Sequence, residues 1–243
     1  MSISERIRMF FSSISSRPVN KPAPKQYSPQ RMSMHTPLRM QSQLANSKLG
    51  HKKDCIIAIA SSTGGPEALD KILRMLPEDL PPILIAQHMP STFTKQFAQR
   101  LNNYSALTVK EAEDSEPIYP GHVYIAPGDF HMVVKKRGNE LFLNCITGSK
   151  VNGVRPAADV LFESIANIMP SKSIGVILTG MGADGAKGLC MMKNVGSYNI
   201  GQDETSCVIY GMPRVAYNLG CLDVQLPLDK IPDRIVSIVN KIF

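Results

Sequence analysis

The sequence predicts an α/β fold: a doubly wound, mainly parallel sheet with helices on both faces and a β-hairpin. Three observations predict it. Short apolar runs at 56–60, 83–86 and 174–178 have the length of strands rather than of long buried helices. Stretches with apolar residues at helical spacing follow them, so strands and helices alternate, as in a sheet covered on both faces. Two further runs flank Gly138-Asn139, a hairpin turn signal.

The elements read in order as follows. After strand 56–60 comes the turn Ser61-Ser62-Thr63-Gly64-Gly65-Pro66, and Pro66 suits a first helical position. Ala68, Leu69, Ile72, Leu73 and Leu76 then form one apolar helical face. Leu80-Pro81-Pro82 ends that helix and leads into strand 83–86. Phe93, Phe97 and Leu101 mark a second helix. Residues 122–126 read as a strand entering Pro127-Gly128-Asp129, and 130–136 with 141–146 as the hairpin. Residues 157–168 are helical, with Val160, Leu161, Ile165 and Ile168 as the expected inner stripe. Strand 174–178 runs into the glycine-dense loop 179–185, followed by a helix through Leu189 to about Val195.

Composition divides the chain into 1–53 and 54–243. The first part holds ten Lys/Arg and a single acid, Glu5, whereas the rest holds 17 basic and 19 acidic residues and is nearly neutral. Residues 16–53 are rich in Ser, Pro, Gln, Lys and Met without periodicity, the composition of a disordered tail. Ile3, Ile7, Phe10, Phe11 and Ile14 fall at helical spacing and suggest a short amphipathic helix able to meet a membrane surface or a partner. The second part is long enough to bury a substantial core. A basic tail can meet nucleic acid, but no nucleic-acid motif accompanies this one, and the chain has no Trp. No secretory signal and no run of membrane-spanning length is visible. Five cysteines without a CxxC pair suggest reduced thiols and a cytoplasmic protein.

Ser62, His88 and Asp184 each sit just past an apolar strand run. In an open parallel sheet the carboxyl ends of the strands share one edge, where ligands bind. Three residues distant in sequence would therefore meet at one crevice as nucleophile, base and orienting acid. Gly64 and Gly65 would let a substrate backbone approach, and the helix N-terminus offers free N–H groups. Thr63 and the backbone near Met181 are candidates for contacts to a developing oxyanion. His131 competes with His88 for the base, and Asp129 with Asp184 for the acid. His122 would begin a strand, at the wrong edge. No ligand cluster has zinc spacing, and Gly-Gly-Pro is neither a dinucleotide fingerprint nor a P-loop, so no metal and no cofactor is expected. The order Ser, His, Asp and the lack of G-x-S-x-G exclude the α/β-hydrolase template.

These residues lie in stretches that resemble the catalytic domain of the chemotaxis protein-glutamate methylesterase (CheB) family. The stretches are Ile59-Ala60-Ser61-Ser62-Thr63-Gly64-Gly65, Gln87-His88-Met89-Pro90, Lys110-Glu111-Ala112-Glu113-Asp114, the run from Pro120 to Asp129, Arg155-Pro156, the run from Gly175 to Gly185, and Gly211-Met212-Pro213. The resemblance implies Ser62 as nucleophile, His88 as base and Asp184 as orienting acid. It implies hydrolysis of γ-glutamyl methyl esters on the cytoplasmic helices of chemoreceptors, and deamidation of receptor glutamines as a second reaction. Ala60 and Ser61 stand where the family usually has Gly-Ala, and strand alternation would point Ser61 away from Ser62. The family usually carries an N-terminal receiver domain, and residues 1–53 are expected not to form one.

Overall fold

The computed structural model describes residues 55–242. The basic tail and its amphipathic segment lie outside the described residues. The described elements, in chain order, are β1 (Ile56–Ser61), α1 (Gly65–Met75), β2 (Ile83–Gln87), α2 (Ser91–Asn102), β3 (Thr108–Glu111), β4 (His122–Ile125), β5 (His131–Arg137), β6 (Glu140–Ile146), α3 (Ala158–Ile168), β7 (Ser173–Ile177), α4 (Ala186–Asn194), β8 (Tyr198–Gln202), α5 (Met212–Asn218), β9 (Val224–Leu226) and α6 (Ile231–Ile242).

Seven strands make one sheet in the order β3-β4-β2-β1-β7-β8-β9, every pair parallel. β5 and β6 form a separate antiparallel hairpin turning at Gly138, whose φ of 60° suits glycine. This is the expected doubly wound sheet with a hairpin. Successive side chains of a strand point to opposite faces, and here both faces are covered. Ile57, Ile59, Ile83, Ile85 and Val176 pack under α1, α2 and α6. Ile56, Ala58, Ala60, Leu84, Ala86 and Ile177 pack under α3, α4, α5 and the hairpin. The small residues on that second face let helices approach closely. Gly188 does the same between helices: a Cβ there would lie 2.6 Å from Cβ of Phe162.

Details depart from the periodicity reading. The inner face of α3 is Ala158, Leu161, Phe162, Ile165 and Ala166, with Val160 and Ile168 only half-buried. The stripe is rotated because the N-terminus of α3 is pulled inward by the hydrogen bonds described below. β3, β8, β9, α5 and α6 are additional elements. β8 hides behind polar residues, Asn199 and Gln202, which are buried because they tie the chain to Leu189, Cys221 and Ser206. Cys190 of α4 and Cys221 are paired, with Cα atoms 4.6 Å apart, whereas five reduced thiols were expected. Folding brings together two cysteines 31 residues apart, a pairing that spacing alone does not show. Cys55, Cys145 and Cys207 are free, and burial pushes the Cys55 thiol up to about 12.

Candidate active site

Strands β2, β1 and β7 are consecutive in the sheet, so the turns at their carboxyl ends are neighbours. The exit of β1 is fixed on both sides. Ser62 N–H donates to Thr179 O (3.0 Å), and His88 N–H donates to Ser61 O (3.1 Å). Gln87, 1% exposed, adds a second tie. Its Nε2 donates to the carbonyls of Ser62 (3.1 Å) and His88 (3.0 Å), while its Oε1 accepts from Ser61 Oγ (2.6 Å). One buried amide thus holds the Ser62 turn and the His88 turn at a fixed separation. Ser61 points into the interior, opposite to Ser62, as strand alternation predicts.

The turn after Ser62 requires its glycines for contacts within the protein. Gly64 has φ +79° and a Cβ there would lie 2.6 Å from Cβ of Val208. A Cβ at Gly65 would collide with Gln87 Oε1 and lie 2.9 Å from Ser61 Oγ. At both positions a side chain is excluded by neighbours within the protein, Val208 and Gln87, so the turn keeps glycine whatever approaches its backbone. Thr179 braces the turn from below: its hydroxyl donates to Thr63 O (2.9 Å) and accepts from Ile209 N–H (3.0 Å). Gly180 fits under Ser62, where a Cβ would lie 2.8 Å from Cβ of Ser62. Its carbonyl accepts from Gly211 N–H (3.1 Å) and Met212 N–H (2.9 Å), which fixes the loop bearing Met181. Among the described residues the Ser62 hydroxyl and the N–H groups of Thr63, Gly64 and Met181 make no hydrogen bond. Thr63 and Met181 are exposed, Met181 by 72%.

His88 meets Asp184 through Nε2 at 2.7 Å from Oδ2, with side-chain exposures of 11% and 3%. A carboxylate accepts, so Nε2 carries the proton and Nδ1 is left as the basic nitrogen. Asp184 sits at the N-terminus of α3. Its Oδ2 also accepts from Ala158 N–H (2.6 Å), and its Oδ1 accepts from Asp159 N–H (3.2 Å) and Asn152 Nδ2 (2.8 Å). Burial works to raise its carboxyl, but hydrogen bonds from His88, Ala158 and Asn152 outweigh it and hold the group below the ordinary carboxylate value. The helix end adds positive potential of the right sign.

The rivals are placed elsewhere. His131, 3% exposed, accepts from Ala157 N–H at Nδ1 (3.2 Å) and contacts Ser149 O through Nε2 (3.0 Å), so both ring nitrogens are engaged. Asp129 is exposed and accepts from Ser91 Oγ at 2.8 Å. His122 begins β4 at the amino edge of the sheet. Gln87, Thr179 and Asn152 carry no chemical signal in sequence. Asn152-Gly153 reads only as a turn pair, and the other two read as strand-end polar residues.

This edge gathers a serine, a histidine and an aspartate, the residue types that serine hydrolases use for nucleophilic acyl transfer. Comparison with known proteins narrows the class. Residues 57–235 match the CheB methylesterase family, and the chain belongs to that family. A protein-glutamate methylesterase/protein-glutamine glutaminase of Syntrophomonas wolfei is 46% identical over 187 residues, covering 77% of this chain and 55% of that protein. One of the same name from Thermotoga maritima is 48% identical over 185 residues, 76% of this chain and 54% of that protein. The chain thus spans about half the length of these curated relatives. The crystal structure of the Thermotoga maritima CheB methylesterase catalytic domain superposes with a TM-score of 0.75 at 48% identity, covering 76% of this chain and 98% of that one.

Proposed function

We propose that this chain is a protein-glutamate methylesterase acting on chemoreceptors. Ser62 Oγ attacks the γ-carbonyl carbon of a glutamyl methyl ester while His88 Nδ1 takes its proton. Asp184 stabilises the imidazolium and fixes the tautomer. The carbonyl oxygen, now an anion, meets the N–H groups of Thr63, Gly64 and Met181. Collapse expels the methoxy group, which leaves as methanol with the proton from His88. Water then attacks the acyl-serine by the same proton route in reverse and releases the glutamate carboxylate. A glutamine amide follows the same path with ammonia as leaving group, the reading favoured by the glutaminase in the relatives' names. The observation that carries the proposal is the 2.7 Å His88–Asp184 contact, made through Nε2 so that Nδ1 stays unengaged at the sheet edge that also bears Ser62.

The partners in this reading are the methyl-accepting cytoplasmic helices of receptors, and its place of action is the cytoplasm. Among the described residues no helix is long and apolar enough to cross a membrane. Residues 1–53 act as a basic tail that concentrates domain 54–243 near anionic membranes, an attraction screened over about 10 Å at 0.1 M salt. Methanol release is measured from methylated receptor membranes and from a soluble glutamyl methyl ester. Wild type should act on both and Ser62→Ala on neither. A variant retaining a tenth of the wild-type rate removes Ser62 as nucleophile. Receptor binding without hydrolysis by the wild type would make the chain a non-catalytic module. Hydrolysis of the soluble ester alone would make it an esterase of another substrate.

A further inference from the structure

Asn152 sits in the turn Val151–Val154, in the left-handed region with φ 53°. Its single Nδ2 atom donates to Asp184 Oδ1 at 2.8 Å and to Asp159 Oδ2 at 2.8 Å. The two hydrogens of one amide therefore serve two carboxylates. Both acids are buried, Asp184 at 3% and Asp159 at 9% exposure, while Asn152 itself faces solvent and covers them. Asp159 also accepts from Gly188 N–H (2.8 Å), which joins α3 to α4.

We propose that Asn152 is a positioning residue of the active site: its amide holds the Asp184 carboxylate in the orientation that meets His88 and separates it from Asp159. This rests on the esterase reading given above. Asp184 Oδ2 is already shared by His88 and Ala158 N–H, so the rotation of the carboxyl is set by what Oδ1 meets. Oδ1 meets Asp159 N–H at 3.2 Å and Asn152 at 2.8 Å, the shorter contact. Two carboxylates this close repel each other unless a donor lies between them. Asn152 is that donor.

The charged groups around the pair come from several elements. Asp159 belongs to α3 and His88 to the exit of β2. His131, at the root of β5, reaches the same helix end through Ala157 N–H. Lys150 and Arg155 share the loop of Asn152, and Lys187 opens α4. Among the described residues none of these cations forms an ion pair with Asp184 or Asp159. The amide of Asn152 is thus the neutral donor that moderates two negative charges beside the imidazole. Its removal leaves more uncompensated negative charge there, which favours the protonated ring.

Asn152→Gly removes the amide while keeping a residue at ease at positive φ. Asn152→Asp keeps the shape and replaces the donor with a third carboxylate. On a soluble glutamyl methyl ester, Asn152→Gly should lower kcat by roughly tenfold with KM within about twofold. The acid limb of kcat/KM should move to higher pH. Asn152→Asp should lose more turnover than Asn152→Gly. An Asn152→Gly variant with wild-type kcat and acid limb overturns the proposal. So does a loss of turnover that leaves the acid limb in place, since that marks a merely structural turn. Titration of the His88 ring by NMR, in wild type and Asn152→Gly, reads the same coupling without turnover. A shift upholds the inference even if no ester is hydrolysed, and no shift overturns it even if the ester is.

Discussion

His88 and His131 serve the same helix end and do opposite things. His131 binds the N-terminus of α3 directly, accepting from Ala157 N–H at 3.2 Å. His88 reaches it through Asp184, whose carboxylate accepts from Ala158 N–H at 2.6 Å. His131 has no ring nitrogen to spare, because Nε2 is engaged by Ser149 O. His88 has one, because Asp184 takes only Nε2. The difference teaches that a histidine is available for proton transfer through its unused nitrogen, not through its nearness to a crevice.

The largest expected effect tests the chemistry on the His88 side. Ser62→Ala should lower turnover on the order of a million-fold with an unchanged thermal midpoint, since its hydroxyl makes no hydrogen bond to lose. Asp184→Asn comes next, with roughly a ten-thousand-fold loss measured by methanol release, through the wrong imidazole tautomer. It should also lower the thermal midpoint at neutral pH. The Asp184 carboxyl lies below its ordinary value in the folded chain. Its stabilisation is therefore present above the unfolded value of about 3.9 and lost as pH falls through the lower folded value. The midpoint gap between wild type and Asp184→Asn should begin to shrink below about pH 4 and narrow further as pH falls through the lower folded value, and a gap constant with pH would sink this reading.

His131→Gln should break the comparison from the other side. It should cost about 1–3 kcal/mol in chemical denaturation by disturbing two buried hydrogen bonds. Activity per folded molecule should stay within about twofold of wild type; a selective loss of turnover would return His131 to the base role. The smallest effect belongs to Ser61→Ala. Alternation alone would make it silent, but its hydroxyl donates to Gln87 Oε1 at 2.6 Å in the interior. Its removal should cost roughly 1 kcal/mol of stability and little turnover.

The sheet and the three residues at its edge were legible because strand ends carry both signals. Three apolar runs located the strands, and the first polar residues beyond them included Ser62, His88 and Asp184. In sequence His88 could be preferred over His131 by position alone, since what distinguishes them is the partners of each ring nitrogen. Gln87, Thr179 and Asn152 were not legible, because their roles are hydrogen bonds spanning 25, 116 and 32 residues. Gly64 and Gly65 were read as room for substrate; that the same positions must also clear Val208, 144 residues away, and Gln87 was not legible. β8 was missed for a related reason: its buried Asn199 and Gln202 look like surface residues until their ties to Cys221 and Thr179, 22 and 23 residues away, are known.

The helix cap on Asp184 has a consequence for how this site decays over generations. Under the proposed function Asp184 has two employments, and its hydrogen bonds to the N-terminus of α3 hold the fold whether or not any ester is cut. Ser62 would have one, because among the described residues no neighbour depends on its hydroxyl. A lineage that abandoned hydrolysis would therefore shed the serine early and keep the aspartate long afterwards. In sequence surveys of such descendants, a retained aspartate would testify to the integrity of α3, and only a retained serine to catalysis.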